Sequence, residues 1–258
     1  MPKTGRENQQ AIQHLIKNEF TVKKLILLAF VTNLVLGCKP EKKEQLTPSE
    51  NTEIPDTKVY PLNVSKIDST QFPAGIRYEG FIKNAVRWTD KSGDNIVVTT
   101  ETGIYTSPKF EHESEYGSDA ELFAYHYIVS NNEAKQTWKV YDFISDCPVD
   151  IAAFFVKNSF EITDLNKNGI AEIWIMYKTV CHGDVSPSDM KIIMYEGKKK
   201  FAMRGENKVA TGIDDDGKTL YYGGKYKFDE NFKNAPQVFK DFAKNLWNNN
   251  LIDTPEEE

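Results

Sequence analysis

The chain has 258 residues, with 32 Lys and Arg against 38 Asp and Glu, a formal net charge of −6 at pH 7. That length allows a domain with a real hydrophobic core. The acidic balance opposes electrostatic capture of nucleic acid, which wants clustered Lys and Arg, so no nucleic-acid partner is expected.

The first element in chain order is "TVKKLILLAFVTNLVLGC". Lys23 and Lys24 precede an apolar run from Leu25 to Leu36 that closes on Gly37 and Cys38. A basic start followed by about 12 apolar residues reads as a secretory signal, being too short to span a bilayer. The Cys directly after Gly37 resembles the end of a bacterial lipobox, which makes Cys38 the expected site of lipidation. Several acyl chains on that Cys would anchor the protein stably, where one chain would not. Residues 1–20 are too polar for an ordinary start of such a signal, and Val22 is the expected initiation site. Residues 1–37 are thus upstream extension and signal peptide, and their removal leaves 27 basic against 36 acidic residues, about −9.

Residues 38–58 are the lipidated Cys and a tether rich in Pro and charge, unable to bury enough apolar surface to offset ordering entropy. About 20 tether residues span roughly 25 Å on average and at most ~65 Å. Residues 59–253 are then expected to form a single mainly-β domain with a C-terminal helix, and 254–258 an acidic tail. "FIKNAVRW", "NIVVTTET", "ELFAYHYIVS", "KQTWKVYDFI", "AEIWIMYKT", "MKIIMYE" and "KFAMRG" are rich in β-branched and aromatic residues. Turn chemistry such as "TDKSGD", "SNNEA", "EGKK" and "DDDGK" separates them. Short gaps between strands imply antiparallel meanders, because parallel pairs need longer crossovers. The expected fold is therefore mainly β: an antiparallel meander forming two packed or strongly curved sheets, with one C-terminal α-helix. In "NAPQVFKDFAKNLWNNN", Val238, Phe239, Phe242, Ala243, Leu246 and Trp247 fall on one helical stripe. Asn234 is its expected N-cap, with Pro236 in the first turn, and the stripe is expected to pack on a sheet. "WTDKSGDNIVV" and "ITDLNKNGIAEIWI" form a weak internal echo, each a Thr-Asp, a polar turn with Gly and an apolar strand.

The loop in the second copy, "DLNKNGIAE", carries oxygen-bearing side chains at positions 1, 3, 5 and 9 and Gly at position 6. An EF-hand would need an acid at position 12, where Ile175 stands inside a strand. The pattern is closer to compact strand-connecting calcium loops, with the side chains of Asp164, Asn166, Asn168 and Glu172 and the carbonyl of Ile170 as ligands. Asn at positions 3 and 5 leaves two carboxylates, which weakens affinity; extracellular modules nonetheless work at dissociation constants of about 10⁻⁴–10⁻³ M. The competing reading is a metal-free turn in which Asp164 and the Asn residues satisfy their own backbone. Calcium is the one cofactor the sequence raises, and both readings stand open at this point.

Cys147 and Cys181 are the thiols left after lipidation, and in an oxidising envelope they are expected to form a disulfide. "CHGD" (residues 181–184) places Cys, His and Asp together, yet adjacent strand residues face opposite ways and the disulfide would occupy the sulfur. No catalytic residue is expected there, and His112 and His126 lie in no partner motif. Paired carboxylates for glycoside hydrolysis are a matter of spatial distance, invisible in sequence. Trp88, Trp138, Trp174 and Tyr221–Tyr222 could stack on sugars, although aromatics in strands are mostly core. "GKKK" (residues 197–200) reads as a solvated hairpin tip.

Asp164–Gly205 and Gly223–Trp247 together resemble a family of Bacteroidota lipoproteins described as surface polysaccharide biosynthesis proteins. The resemblance covers the C-terminal third to half of the chain and brings no active site. It implies an outer-membrane lipoprotein, periplasmic or surface-facing, with an accessory and non-catalytic role in making or displaying lipopolysaccharide or capsule. Its expected partners are the membrane, through the lipid anchor, and glycan or envelope assembly proteins. A calcium-stabilised glycan- or protein-binding module is the alternative, and a carbohydrate-active enzyme the second alternative.

Overall fold

Alternating apolar positions and two tight turns generate the first sheet. β1 (Ser65–Lys66), β2 (Phe81–Asp90), β3 (Gly93–Tyr105), β4 (Ser118–Ser130) and β5 (Glu133–Cys147) run antiparallel, side by side in chain order, which leaves β5 at one edge. The computed structural model describes residues 62–252. The signal segment, Cys38, the tether and the acidic tail lie outside the described residues. Asn131 and Asn132 join β4 to β5 in a two-residue turn with φ of 52° and 60°. Such turns twist with the strands but demand positive φ twice, and Asn tolerates that conformation better than most residues.

β6 (Ile151–Phe155), β7 (Glu161–Thr163), β8 (Glu172–Cys181), β9 (Asp189–Glu196), β10 (Lys199–Glu206) and β13 (Tyr226–Phe228) form the second sheet, ordered β13-β10-β9-β8-β6, with β7 pairing the start of β8. β11 (Lys208–Ile213) and β12 (Thr219–Gly223) make a separate hairpin. The expected antiparallel meander is thus present, as two sheets packed face to face. Val86, Trp88, Val97, Leu122, Trp138 and Val140 of the first sheet meet Ile173, Ile175, Tyr177, Ile193 and Tyr195 of the second. A pile of rings crosses this interior: His126 lies against Trp88 and Trp138, and Trp138 stacks on Tyr195 with centroids 4.1 Å apart. Trp88, Trp138 and Trp174 are all buried, so they belong to the core rather than to a sugar platform.

Both outer faces are covered too. A short helix α1 (Glu230–Lys233) and α2 (Gln237–Asn249) close the second sheet, where Phe232, Phe239, Ala243 and Trp247 pack on Trp174, Met176, Ile192, Met194, Phe201 and Met203. The helical stripe therefore packs on a sheet face as expected, with Val238 alone turned outward. The expected N-cap is displaced. Asp229 starts α1 one turn earlier by accepting from the Phe232 N–H, Asn234 closes that helix, and Pro236 stands at the N-cap of α2 with no side-chain cap. The reason is local: Asp229 is the better anion for orphan N–H groups, and a Pro cannot continue α1. On the first sheet, Ile67, Phe72 and Ile76 from the segment before β2, with Ile82 at the start of β2, lie over Ile96, Phe123, Tyr125 and Tyr127. The Cys147–Cys181 disulfide is present, with Cα atoms 5.9 Å apart, and ties the end of β5 in one sheet to the end of β8 in the other.

Candidate functional site

The Asp164–Glu172 loop connects β7 to β8 at the rim of the second sheet. Its backbone is fixed by short-range side-chain acceptors. Asp164 Oδ2 accepts from the Gly169 N–H at 3.0 Å, Asn166 Oδ1 from the Asn168 N–H at 3.0 Å, and Asn168 Oδ1 from the Ile170 N–H at 2.7 Å. Lys167 and Gly169 take φ of 58° and 81°, which sharpens the turn and aims these oxygens inward. Glu172 is 0 % exposed. Its Oε2 accepts from Thr163 Oγ1 and from the Leu165 N–H, both at 2.8 Å, so the carboxylate is turned into the loop.

Two oxygens are left over. Asp164 Oδ1 and Glu172 Oε1 are buried and accept no hydrogen bond. Burial pushes the Glu172 carboxyl above the ordinary Glu value, the donors from Leu165, Thr163 and the Asn166 N–H pull the other way, and Asp164 adds repulsion. The related turn in the first sheet provides the contrast. Asp90 accepts from Ser92 N–H and Oγ, Asn95 Nδ2, Trp88 Nε1 and the Ala171 N–H. Burial opposes its charge, but those donors prevail and hold its carboxyl below the usual range. The two echo segments touch: Lys91 N–H donates to the Gly169 carbonyl at 2.8 Å and its ammonium to the Asn168 carbonyl at 2.5 Å.

Sequence reasoning missed the residues that arrive from elsewhere. Glu196 stands directly opposite Glu172 across the β8–β9 ladder, and its Oε1 accepts from the amides of both Asn166 and Asn168 at 2.6 Å. Those bonds engage the two amide nitrogens, while each amide oxygen accepts from a backbone N–H of the loop. Asp164, Asn166, Asn168 and Glu172 thus place carboxylate and amide oxygens in one short loop that contains no His or Cys. Among the described residues no group of three or more His, Cys, Asp or Glu is poised to hold a metal. An all-oxygen set of mixed donors suits a hard cation such as calcium and does not suit zinc.

A second feature lies on the outer face of the first sheet. Phe110, Phe143, Tyr141, Phe123, Tyr125 and Tyr127 form an unbroken row of stacked rings with successive centroids 4.8, 5.3, 4.9, 5.9 and 6.5 Å apart. The N-terminal segment covers one end of it, where Tyr125 and Tyr127 accept from backbone N–H groups of Glu79 and Arg77. The other end is open, with Tyr141 and Phe143 42 % and 40 % exposed. Polar groups border the open end: Glu121 accepts from the hydroxyls of Tyr105 and Tyr141, and Lys109 bridges Glu121 and Glu79. Lys139 also pairs with Glu79 and lies 4.6 Å from the Phe123 centroid. Strand parity could have found part of this row, since Tyr141 and Phe143 alternate with the buried Trp138 and Val140.

Elsewhere, Cys181 is consumed by the disulfide, and His182 Nδ1 faces only the Asp184 carbonyl. His112 pairs with the buried Asp119 at 2.8 Å. An open groove of about 630 Å³ beside β9, β10 and β13 is lined by opposed charges, Lys191, Arg204 and Lys227 with Asp189, Glu206 and Asp229. No helix among the described residues is long and apolar enough to cross a membrane. No family model, no curated protein and no solved structure matches the chain.

Proposed function

We propose that this chain is the folded module of a lipid-anchored envelope protein that binds surface polysaccharide and supports its biosynthesis or display without catalysing sugar transfer. The observation that carries the reading is the open end of the aromatic row on β4 and β5. Exposed Tyr and Phe supply apolar area at low entropic cost, and the partly exposed Glu79, Lys109 and Lys139 offer an acceptor and donors to a polyhydroxylated chain. The resemblance of the C-terminal half to polysaccharide lipoproteins, and the lipobox ending at Cys38, support the anchored, envelope part of the reading.

A general acid in a glycosidase needs a raised pKa. Glu79, beside the open end of the row, is instead held below the usual range by hydrogen bonds from Lys109 and then Lys139, which does not suit that role.

Affinity electrophoresis of the purified domain through gels containing lipopolysaccharide or capsule from the source strain tests the reading. The wild type is expected to be retarded, and the double variant Tyr141→Ala, Phe143→Ala to lose most of that retardation. Equal migration of the two proteins would remove the row from the argument. Deletion of the gene is expected to alter the glycan ladder, with restoration on complementation.

A further inference from the structure

We propose that the Asp164–Glu172 loop is a calcium-binding site, in which Asp164 Oδ1, Glu172 Oε1, the amide oxygens of Asn166 and Asn168 and the carbonyl of Ile170 surround one ion. This inference is independent of the glycan reading and would survive its failure.

The argument rests on what the loop leaves unpaired. Buried polar atoms in folded proteins almost always find a partner, and an unpartnered carboxylate oxygen is the costliest exception. Here two occur in one nine-residue loop, on Asp164 and on the fully buried Glu172. Both belong to the positions that a compact calcium loop uses for its acids. The remaining oxygen of each is committed to the loop itself, Asp164 Oδ2 to the Gly169 N–H and Glu172 Oε2 to Thr163 and Leu165. The free oxygens are therefore the ones available inside the turn.

Charge makes the case sharper. Glu172 and Glu196 face each other directly on neighbouring antiparallel strands, and like charges so placed repel. Asp164, whose Oδ1 is likewise buried and unpaired, adds a third carboxylate. The ammonium of Lys91, which reaches the loop, is spent on the Asn168 carbonyl rather than on any of these acids. Two Asn amides answer Glu196 and carry no charge. A divalent cation at the centre of the turn would neutralise the excess and satisfy both orphan oxygens at once. Glu196, outside the ligand set, would fix the two amides with oxygens inward, the usual division between groups that bind a metal and groups that orient them. The Asp90 turn shows the alternative solution, a filled set of donors, which the Asp164 loop does not use.

Thermal unfolding of the purified domain in EDTA and in about 10 mM CaCl₂ is the first experiment. For a site with a dissociation constant near 10⁻⁴ M, calcium is expected to raise Tm by roughly 5–10 °C. Terbium supplies a direct probe. Trp174 donates to Thr163 Oγ1, itself bonded to Glu172, so excitation of Trp174 is expected to sensitise Tb³⁺ emission that calcium then quenches. Glu172→Gln keeps the shape and removes the charge. It is expected to abolish both the calcium shift and the emission while leaving Tm in EDTA at or above the wild-type value, which separates lost binding from lost folding. Identical wild-type Tm in EDTA and calcium would overturn the proposal in favour of a metal-free turn, and a full calcium shift in Glu172→Gln would overturn it by placing the ion elsewhere.

Discussion

His126 sits between two indole rings, 4 % exposed, with Nδ1 against Thr137 Oγ1 at 2.5 Å and Nε2 against Asn95 Oδ1 at 3.1 Å. Burial lowers its pKa from 6.5 to about 4, opposed by Asp90. The folded protein thus resists a proton that the unfolded chain accepts readily below pH 6.5. The stability this neutral imidazole contributes is complete above that pH and falls away as pH drops toward 4, by at most roughly 3 kcal/mol. Urea titrations at pH 7, 5.5 and 4.5 are expected to show that slope, and His126→Gln to flatten it. At this scale the sequence spoke in part. Asp164, Asn166, Asn168, Ile170 and Glu172 could be named from spacing alone, because the loop is contiguous. Glu196 and Lys91 could not, since they reach the loop through cross-strand register and through contact between the two turns.

Among the elements, α2 is the one whose burial is easiest to test. Phe239 is fully buried, with its ring 5.8 Å from Phe201 and 6.3 Å from Trp174. Phe239→Ala is expected to cost about 3–5 kcal/mol in denaturant unfolding, while Val238→Ala, one position along and turned outward, stays within about 0.5 kcal/mol. The helix and the seven long strands were legible because their apolar periods of 3.6 and 2 extend over many residues. β7 and β13, at three residues each, and β1, at two, carry too few positions to show a period. The N-terminus of the helix was misplaced for a related reason. Asn234 and Pro236 both read as start signals, and only the Asp229 cap shows that a separate turn of helix comes first.

For the whole molecule, the disulfide is the covalent link between the two sheets. It closes a loop of 34 residues, which in the chain-entropy account is worth about 3.7 kcal/mol. Cys147→Ser with Cys181→Ser is expected to lower unfolding stability by that order, measured in guanidinium with and without reductant. The wild-type thiols are expected to resist labelling until reductant is added. The pairing was readable from cysteine parity and from the positions of both residues at the ends of expected strands. That the sheets stack as four layers was not, because both faces of each sheet are apolar and alternation alone does not say what lies on either side.

The strand order has a bearing on crowding. Most strands at the sheet margins are short: β1 has two residues, β13 three and β6 five. β5 has 15 and forms the outer margin of its sheet; Ala74 pairs with its first residues, and the rest presents backbone groups to any copy of the chain beside it. Strand addition between copies at a long exposed margin is a ready route to aggregation. β5 carries its own deterrents, with Lys135, Lys139, Asp142 and Asp146 spaced along it and a left-handed kink at Asp146, φ 50°. These charges read as gatekeepers against strand addition between copies of the chain.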